Sequence, residues 1–278
     1  MRICVIYGGI NMRMLAVDMD DTSLNSKNRI SQRTLDALKA AADAGIEVVP
    51  TTVRALSCLP HQLRGADFIR YVITSNGAEV TDLKTGKSIF NSLIPGELVC
   101  DLLARKKGIK AVVTAHMGNK VVVQGLFPTF LGKCSYGKDT AKGVVYTHNL
   151  TRYIQKTGMD VESMQFMVLS PHAGPKAIAM LSQFPQLQTN LTRKYAECYL
   201  KESTKGTGLT ALANHLGISK DEIACVGDSH FDLHMFAASG LKFAMGNAEQ
   251  VLKDAADHVM PTNDEDGVAV AIEKYLLK

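Results

Sequence analysis

The chain has 278 residues, 46% hydrophobic and 21% charged, with a formal net charge of +4, a length that supports a large buried core and favours two packed domains. An ordinary composition without a repeat or a low-complexity tract argues against a disordered, fibrous or solenoid protein. Basic residues are scattered apart from Arg105-Lys106-Lys107, and no apolar run approaches the roughly 18 residues a membrane span needs, so neither nucleic acid nor membrane is expected as a partner.

The apolar start, Met1 to Asn11, lacks the regions of a signal peptide. Met12 and Met14 stand just before the first strong strand, which makes residues 1–11 a candidate extension outside the fold. The six cysteines (Cys4, Cys58, Cys100, Cys134, Cys198 and Cys225) are widely spaced without a C-x-x-C pair, as in a cytoplasmic protein with reduced thiols.

In chain order, Met14 to Val17 reads as a buried parallel strand that stops at Asp18. Ser31 caps the helix that follows, Ile30 and Leu35 staple it, Leu38 and Ala42 continue its apolar face, and Gly45 ends it. Ile46 to Pro50 closes a β-α-β unit, and Tyr71 to Thr74 is a third strand leading into the turn Ser75 to Ala78. From about Asp82 to Asn190 the pattern becomes mixed α+β, with a helix at Gly96 to Lys106 and strands at Lys110 to Thr114, Lys120 to Gln124 and Met164 to Ser170. This interruption reads as an inserted domain. The alternation resumes with a helix from Gly206 to Leu216, a strand from Ile223 to Val226 that ends in Gly227-Asp228, a short strand at Leu241 to Met245, and an amphipathic helix from Gly267 to Leu277. The fold class is therefore α/β, a Rossmann-like doubly wound parallel sheet over 1–82 and 191–278, interrupted by an α/β insertion over 83–190.

Ligands of open α/β sheets sit outside the carboxyl ends of the strands, so Asp18, Thr52, Asn76, Asp228 and Asn247 are candidates to converge. The spacing Asp18-Met19-Asp20 directs two carboxylates the same way, so that one can attack while the other handles protons. Carboxylates crowded with Asp228 repel unless a cation joins them, and hard oxygen donors suit Mg²⁺. Lys205, at the start of a helix, can neutralise both a nucleophilic aspartate and a phosphate oxygen, and the Thr52 hydroxyl can donate to the same phosphate. His230 beside Asp228 is read as a solvent-facing residue, because histidine is a poor partner for Mg²⁺.

The ordered strings VDMDDT (17–22), VPTTVR (49–54), TSNGA (74–78), TKG (204–206), VGDSHFD (226–232), AMGNA (244–248) and NDEDGVA (263–269) resemble those of the haloacid dehalogenase superfamily, and within it the Cof-type sugar-phosphate phosphatases, over nearly the whole chain. The resemblance implies a phosphoric monoester hydrolase in which Asp18 is the nucleophile and Asp20 the general acid/base. It implies a metal site of Asp18, Asp20, Asp228 and Asp232, with Mg²⁺ held by the Asp18 carboxylate, the Asp20 carbonyl and Asp228. Thr52, Val53, Arg54, Asn76, Lys205 and Asn247 become the residues of the phosphate and substrate site. The inserted domain would act as a cap that closes over the site.

Three positions depart from that pattern: Asp21 and Val53 stand where the family has glycine, and Phe231 where it has asparagine. Asp21 adds a carboxylate to an acidic site, and Val53 cannot take positive φ cheaply. The expectation is a phosphatase acting on a small phosphorylated metabolite as monomer or homodimer, with its activity reduced or redirected by these departures. A phosphomutase and a metabolite-binding regulator on the same scaffold are the alternatives.

Overall fold

The computed structural model describes residues 6–7, 10–130, 141–170, 172–191 and 195–277. Ile6–Tyr7 (β1) and Ile10–Asn11 (β2) pair antiparallel, so part of the expected N-terminal extension forms a small hairpin. Cys4 and Cys134 lie outside the described residues, whereas Cys58, Cys100, Cys198 and Cys225 are not in disulfides.

The chain divides into two compact units. The first comprises Met1–Val53, Gln62–Asn91 and Thr204–Lys278, and the second Arg54–His61 and Ser92–Ser203. In the first, β3 (Met14–Asp18) leads to helix α1 (Gln32–Asp43), β4 (Glu47–Thr51), α2 (His61–Arg64), β5 (Tyr71–Thr74), β6 (Glu79–Asp82) and β7 (Lys87–Asn91). The Ser31 side chain accepts from Thr34 N, as a helix cap should, and Gly45 turns the chain at φ +92° after α1.

The second unit contributes α3 (Gly96–Arg105), β8 (Ala111–Met117), β9 (Lys120–Gln124), β10 (Val144–Thr147), α4 (Leu150–Thr157), β11 (Ser163–Val168), α5 (Ala173–Leu181), β12 (Leu187–Leu191) and β13 (Tyr195–Leu200). Its six-stranded sheet has the order β10-β9-β8-β11-β13-β12. Alternate residues of its central strands, Val113, Ala115, Met164, Phe166, Ala196 and Cys198, pack with Val99, Leu102, Ile154 and Leu181 of the helices in one buried core.

The first unit resumes with α6 (Lys205–Leu216), β14 (Ile223–Gly227), α7 (Leu233–Ala237), β15 (Leu241–Ala244), α8 (Gln250–Ala255), β16 (His258–Val259) and α9 (Gly267–Ala271). Its sheet runs β16-β15-β14-β3-β4-β5-β6-β7. The strands from β16 to β5 are parallel, and β6 and β7 add antiparallel at the edge. This is the expected α/β fold.

Along the chain the units alternate at 53/54, 61/62, 91/92 and 203/204; the change of pattern in the sequence placed the insertion at 83–190. The turn between Asp82 and Lys87 belongs to a hairpin of the first sheet, in which Glu79 pairs with Asn91 and Asp82 with Lys87. The β12-β13 hairpin, from Leu187 opposite Leu200 to Leu191 opposite Ala196, belongs wholly to the second sheet. The expected C-terminal helix is α-helical only to Ala271 and continues as a wider turn over Ile272–Leu276. No helix among the described residues is long and apolar enough to cross a membrane.

Candidate functional site

Parallel pairing aligns the carboxyl ends of β15, β14, β3 and β4: Val17 lies opposite Val226 and Pro50, Asp18 opposite Thr51, and Gly227 opposite Ala244. All five residues of β3 are buried, so the strand delivers Asp18 into the protein interior, where it is only 5% exposed. The chain then makes a wide turn over Met19–Ser23. Leu24 N donates to Met19 O at 2.8 Å, Ser23 Oγ donates to Asp18 O at 2.6 Å, and Asp21 takes φ +56°.

Lys205 is the first residue of α6. Thr204 caps this helix by accepting from Thr207 N, while its own N–H donates to Thr207 Oγ1. The Lys205 ammonium is buried and donates to Asp18 Oδ1 at 2.5 Å and to Asp232 Oδ1 at 2.6 Å. The close approach depends on glycine: a Cβ at Gly206 would lie 2.2 Å from the His234 carbonyl oxygen, and one at Gly227 2.5 Å from Asp232 Cγ.

Asp232 is fully buried, and its Oδ2 accepts from Asp228 N at 3.0 Å and Ser229 N at 3.1 Å. Asp228 in turn accepts from Thr22 Oγ1 at 2.9 Å. One carboxylate oxygen from each of Asp18, Asp228 and Asp232 lies within 4.8 Å of the others.

Three carboxylates around one ammonium leave an excess of negative charge in a poorly solvated place. Burial raises the Asp18 carboxyl well above its usual range; Lys205 opposes this, and Asp232 and Asp228 reinforce it. Asp228 is pushed up to about 6, by burial first and by Asp232 second. Burial pulls the Lys205 pKa down, but its two aspartate partners outweigh that and the net shift is upward. A divalent cation would remove the imbalance, and a set of hard carboxylate oxygens fits Mg²⁺ better than a softer metal. Asp232 already receives Lys205 on one oxygen and two backbone N–H groups on the other, so Asp18 and Asp228 are the carboxylates better placed for a cation.

The remaining sequence-predicted residues fall in different places. Thr52, fully buried just beyond β4, donates its N–H to Ile73 O at 2.9 Å, and its carbonyl accepts from Asn76 N at 3.0 Å. Asn76 is 4% exposed in the left-handed turn after β5, at φ +59°. Asp20 is half-buried with extended backbone, φ −69° and ψ 129°, and is not one of the three clustered carboxylates. Val53 is half-buried at the end of its segment of the first unit, whereas Arg54 belongs to the second unit, its Nη1 3.5 Å from Cys58 O.

Asn247 is exposed, and its side chain is engaged with backbone: Nδ2 donates to Asp21 O at 2.7 Å and Oδ1 accepts from Asn263 N at 3.0 Å. His230 is exposed and pairs with Glu249 at 2.9 Å. Phe231 is half-buried with its ring centroid 4.3 Å from that of His230. The sequence reading missed Thr22 and Ser23. A hydroxyl pair directly after the acidic string was the available signal, because such residues bond to nearby turn backbone and acceptors.

A family model described as haloacid dehalogenase-like hydrolase matches residues 15–272. A 5-amino-6-(5-phospho-D-ribitylamino)uracil phosphatase of Bacillus subtilis is 28% identical over 271 residues, covering 96% of this chain and 97% of its own. A further phosphatase of Bacillus subtilis is 27% identical over 289 residues, covering 96% of this chain and 100% of its own. Among solved structures, a haloacid dehalogenase-like hydrolase from B. subtilis superposes with a TM-score of 0.81 at 26% identity, covering 95% of this chain and 100% of the other.

Proposed function

The chain belongs to the haloacid dehalogenase-like hydrolases and is a phosphatase of the Cof type, and from that premise we propose that it hydrolyses a small phosphorylated metabolite, a sugar phosphate or similar, through a phosphoryl group carried on Asp18, with Mg²⁺ as cofactor. The observation that carries this reading is the buried Lys205 bridging Asp18 and Asp232 beside Asp228. That arrangement orients one carboxylate as a nucleophile and leaves an excess of negative charge that a divalent cation would offset, so that an anionic substrate could be accepted.

Asp18 attacks phosphorus, forming an aspartate O–P bond as the bond to the substrate's leaving oxygen breaks. Asp20, two residues on, donates the proton that this oxygen needs. The same Asp20 then takes a proton from water, which attacks phosphorus, releases inorganic phosphate and returns Asp18 to a carboxylate. Lys205 holds the Asp18 carboxylate in line and contributes fixed positive charge where negative charge gathers. Thr52 and Asn76, at the ends of neighbouring strands, and the Val53 N–H supply donors to the phosphoryl oxygens.

When bound by Asp18, Asp228 and the Asp20 carbonyl, Mg²⁺ supplies the positive charge that keeps the nucleophile ionised and offsets the charge of the phosphoryl group. The raised Asp18 pKa supports this need, because a protonated carboxyl does not attack. The named substrate of the Bacillus subtilis relative, a phosphorylated ribityl compound, supports the substrate class.

The test is phosphate release from an aryl phosphate. Release is expected with Mg²⁺, is lost on chelation, and is abolished in Asp18→Asn. Release that survives that substitution contradicts the mechanism.

A further inference from the structure

We propose that Asn247 and Asn263 are positioning residues: a paired backbone clamp that holds the loop carrying Asp20 in its left-handed turn and ties it to the loop carrying Asp228. The inference rests on the phosphatase reading for its kinetic consequence, whereas the clamp itself is a matter of geometry.

The loop after β3 must reverse within a few residues and keep Asp18 and Asp20 on one side. It does so with Asp21 at φ +56° and ψ 9°, a region that a residue with a Cβ enters against a steric penalty that glycine escapes. Inside the loop, Leu24 N donates to Met19 O and Ser23 Oγ to Asp18 O. The carbonyls of Asp21 and Leu24 are satisfied from outside it. Asn247 Nδ2 donates to Asp21 O at 2.7 Å and Asn263 Nδ2 to Leu24 O at 2.9 Å. The two clamps are joined, since Asn263 N donates to Asn247 Oδ1 at 3.0 Å. The grip extends along the arc: Asp264 Oδ1 accepts from Ser26 N at 2.9 Å, and Asp266 Oδ1 from Ser31 Oγ at 2.5 Å.

The turn that presents Asn247 is anchored on the other side of the site. Met245 N donates to Gly227 O at 2.9 Å and Glu249 N to Asp228 O at 2.8 Å. Asn247 therefore adds a second connection between the Asp228 loop and the Asp20 loop, beside the direct bond from Thr22 Oγ1 to Asp228 Oδ1 at 2.9 Å. An aspartate at position 21 makes this chain dependent on the clamp, because its backbone does not rest in the left-handed region as readily as glycine.

Steady-state kinetics and hydrogen exchange test this together. Asn247→Ala is expected to lower kcat by about tenfold or more with KM changed less than about twofold, the signature of a lost supporting contact and not of a lost substrate contact. Asn247→Asp, which keeps the shape and the acceptor for Asn263 N but loses the donor, behaves like Asn247→Ala. Exchange of the amides over 19–26 accelerates in both. Introducing Asp21→Gly into the Asn247→Ala background restores most of kcat, because glycine holds the left-handed turn unaided.

A raised KM with kcat unchanged would make Asn247 a substrate contact and overturn the proposal. So would unaltered exchange over 19–26, or a kcat that Asp21→Gly does not raise. An inactive native protein sinks the phosphatase reading alone, and the exchange experiment still decides the clamp.

Discussion

Lys205 is the residue on which the site's electrostatics turn. It is one of the largest fully buried side chains, and both its partners, Asp18 and Asp232, are buried too. Removing a charge from water is expensive, so such a cluster is weak as a source of stability, yet removing one member leaves the others buried without a counter-charge. Lys205→Met is therefore expected to lose activity and to lower the unfolding free energy in urea by about 3–5 kcal/mol in the metal-free protein. A variant as stable as the native chain would contradict this dependence of the buried aspartates on Lys205. The departures Asp21 and Phe231 sit beside this cluster without displacing any of its members. Asp21 turns its side chain to solvent while its carbonyl goes to Asn247.

At the scale of elements, β3 and β14 were legible in the sequence because continuous apolar runs end abruptly in aspartate, and α6 because glycine closes it. Their positions led to Asp18, Asp228 and Lys205. The second unit was less legible. Leu187–Leu191 holds three consecutive polar residues, Gln188-Thr189-Asn190, and Tyr195–Leu200 a single charged one, Glu197, so neither segment shows the alternation that marks a strand. Asn247 follows β15, and the bond from its amide to the backbone of a residue 226 positions away is a tertiary contact that leaves no local mark in the sequence.

One strand of the second unit carries its own test. His116, on β8, is 1% exposed, and burial lowers its pKa from 6.5 to about 4. The unfolded chain takes up a proton between those two pH values that the folded chain refuses, so stability falls as pH drops from 6.5 towards 4, by about 3 kcal/mol in all. Urea unfolding of the native chain and of His116→Asn at pH 7 and pH 4.5 checks this, with the native chain expected to lose more of its stability. Equal losses would assign the acid sensitivity to other groups.

At the scale of the whole molecule, residues 187 positions apart, Asp18 and Lys205, meet because the two segments of the second unit, Arg54–His61 and Ser92–Ser203, leave the order β15-β14-β3-β4 of the first sheet unaltered. The chemistry is built within one unit from three separated segments, each reaching the same sheet edge at a strand end or a helix start. That organisation explains how short strings scattered over the sequence could point to a single reaction. In the proposed mechanism Asp18 carries the phosphoryl group and Asp20 manages the protons. An aryl phosphate tests both together, because its leaving group departs without a proton whereas the second step still needs a base for water. Asp20→Asn mixed with Mg²⁺ and an aryl phosphate, quenched in acid and mapped by mass spectrometry, is expected to accumulate a phosphoryl adduct on the peptide containing Asp18. Turnover with no such adduct, or an adduct on a different residue, would contradict the account.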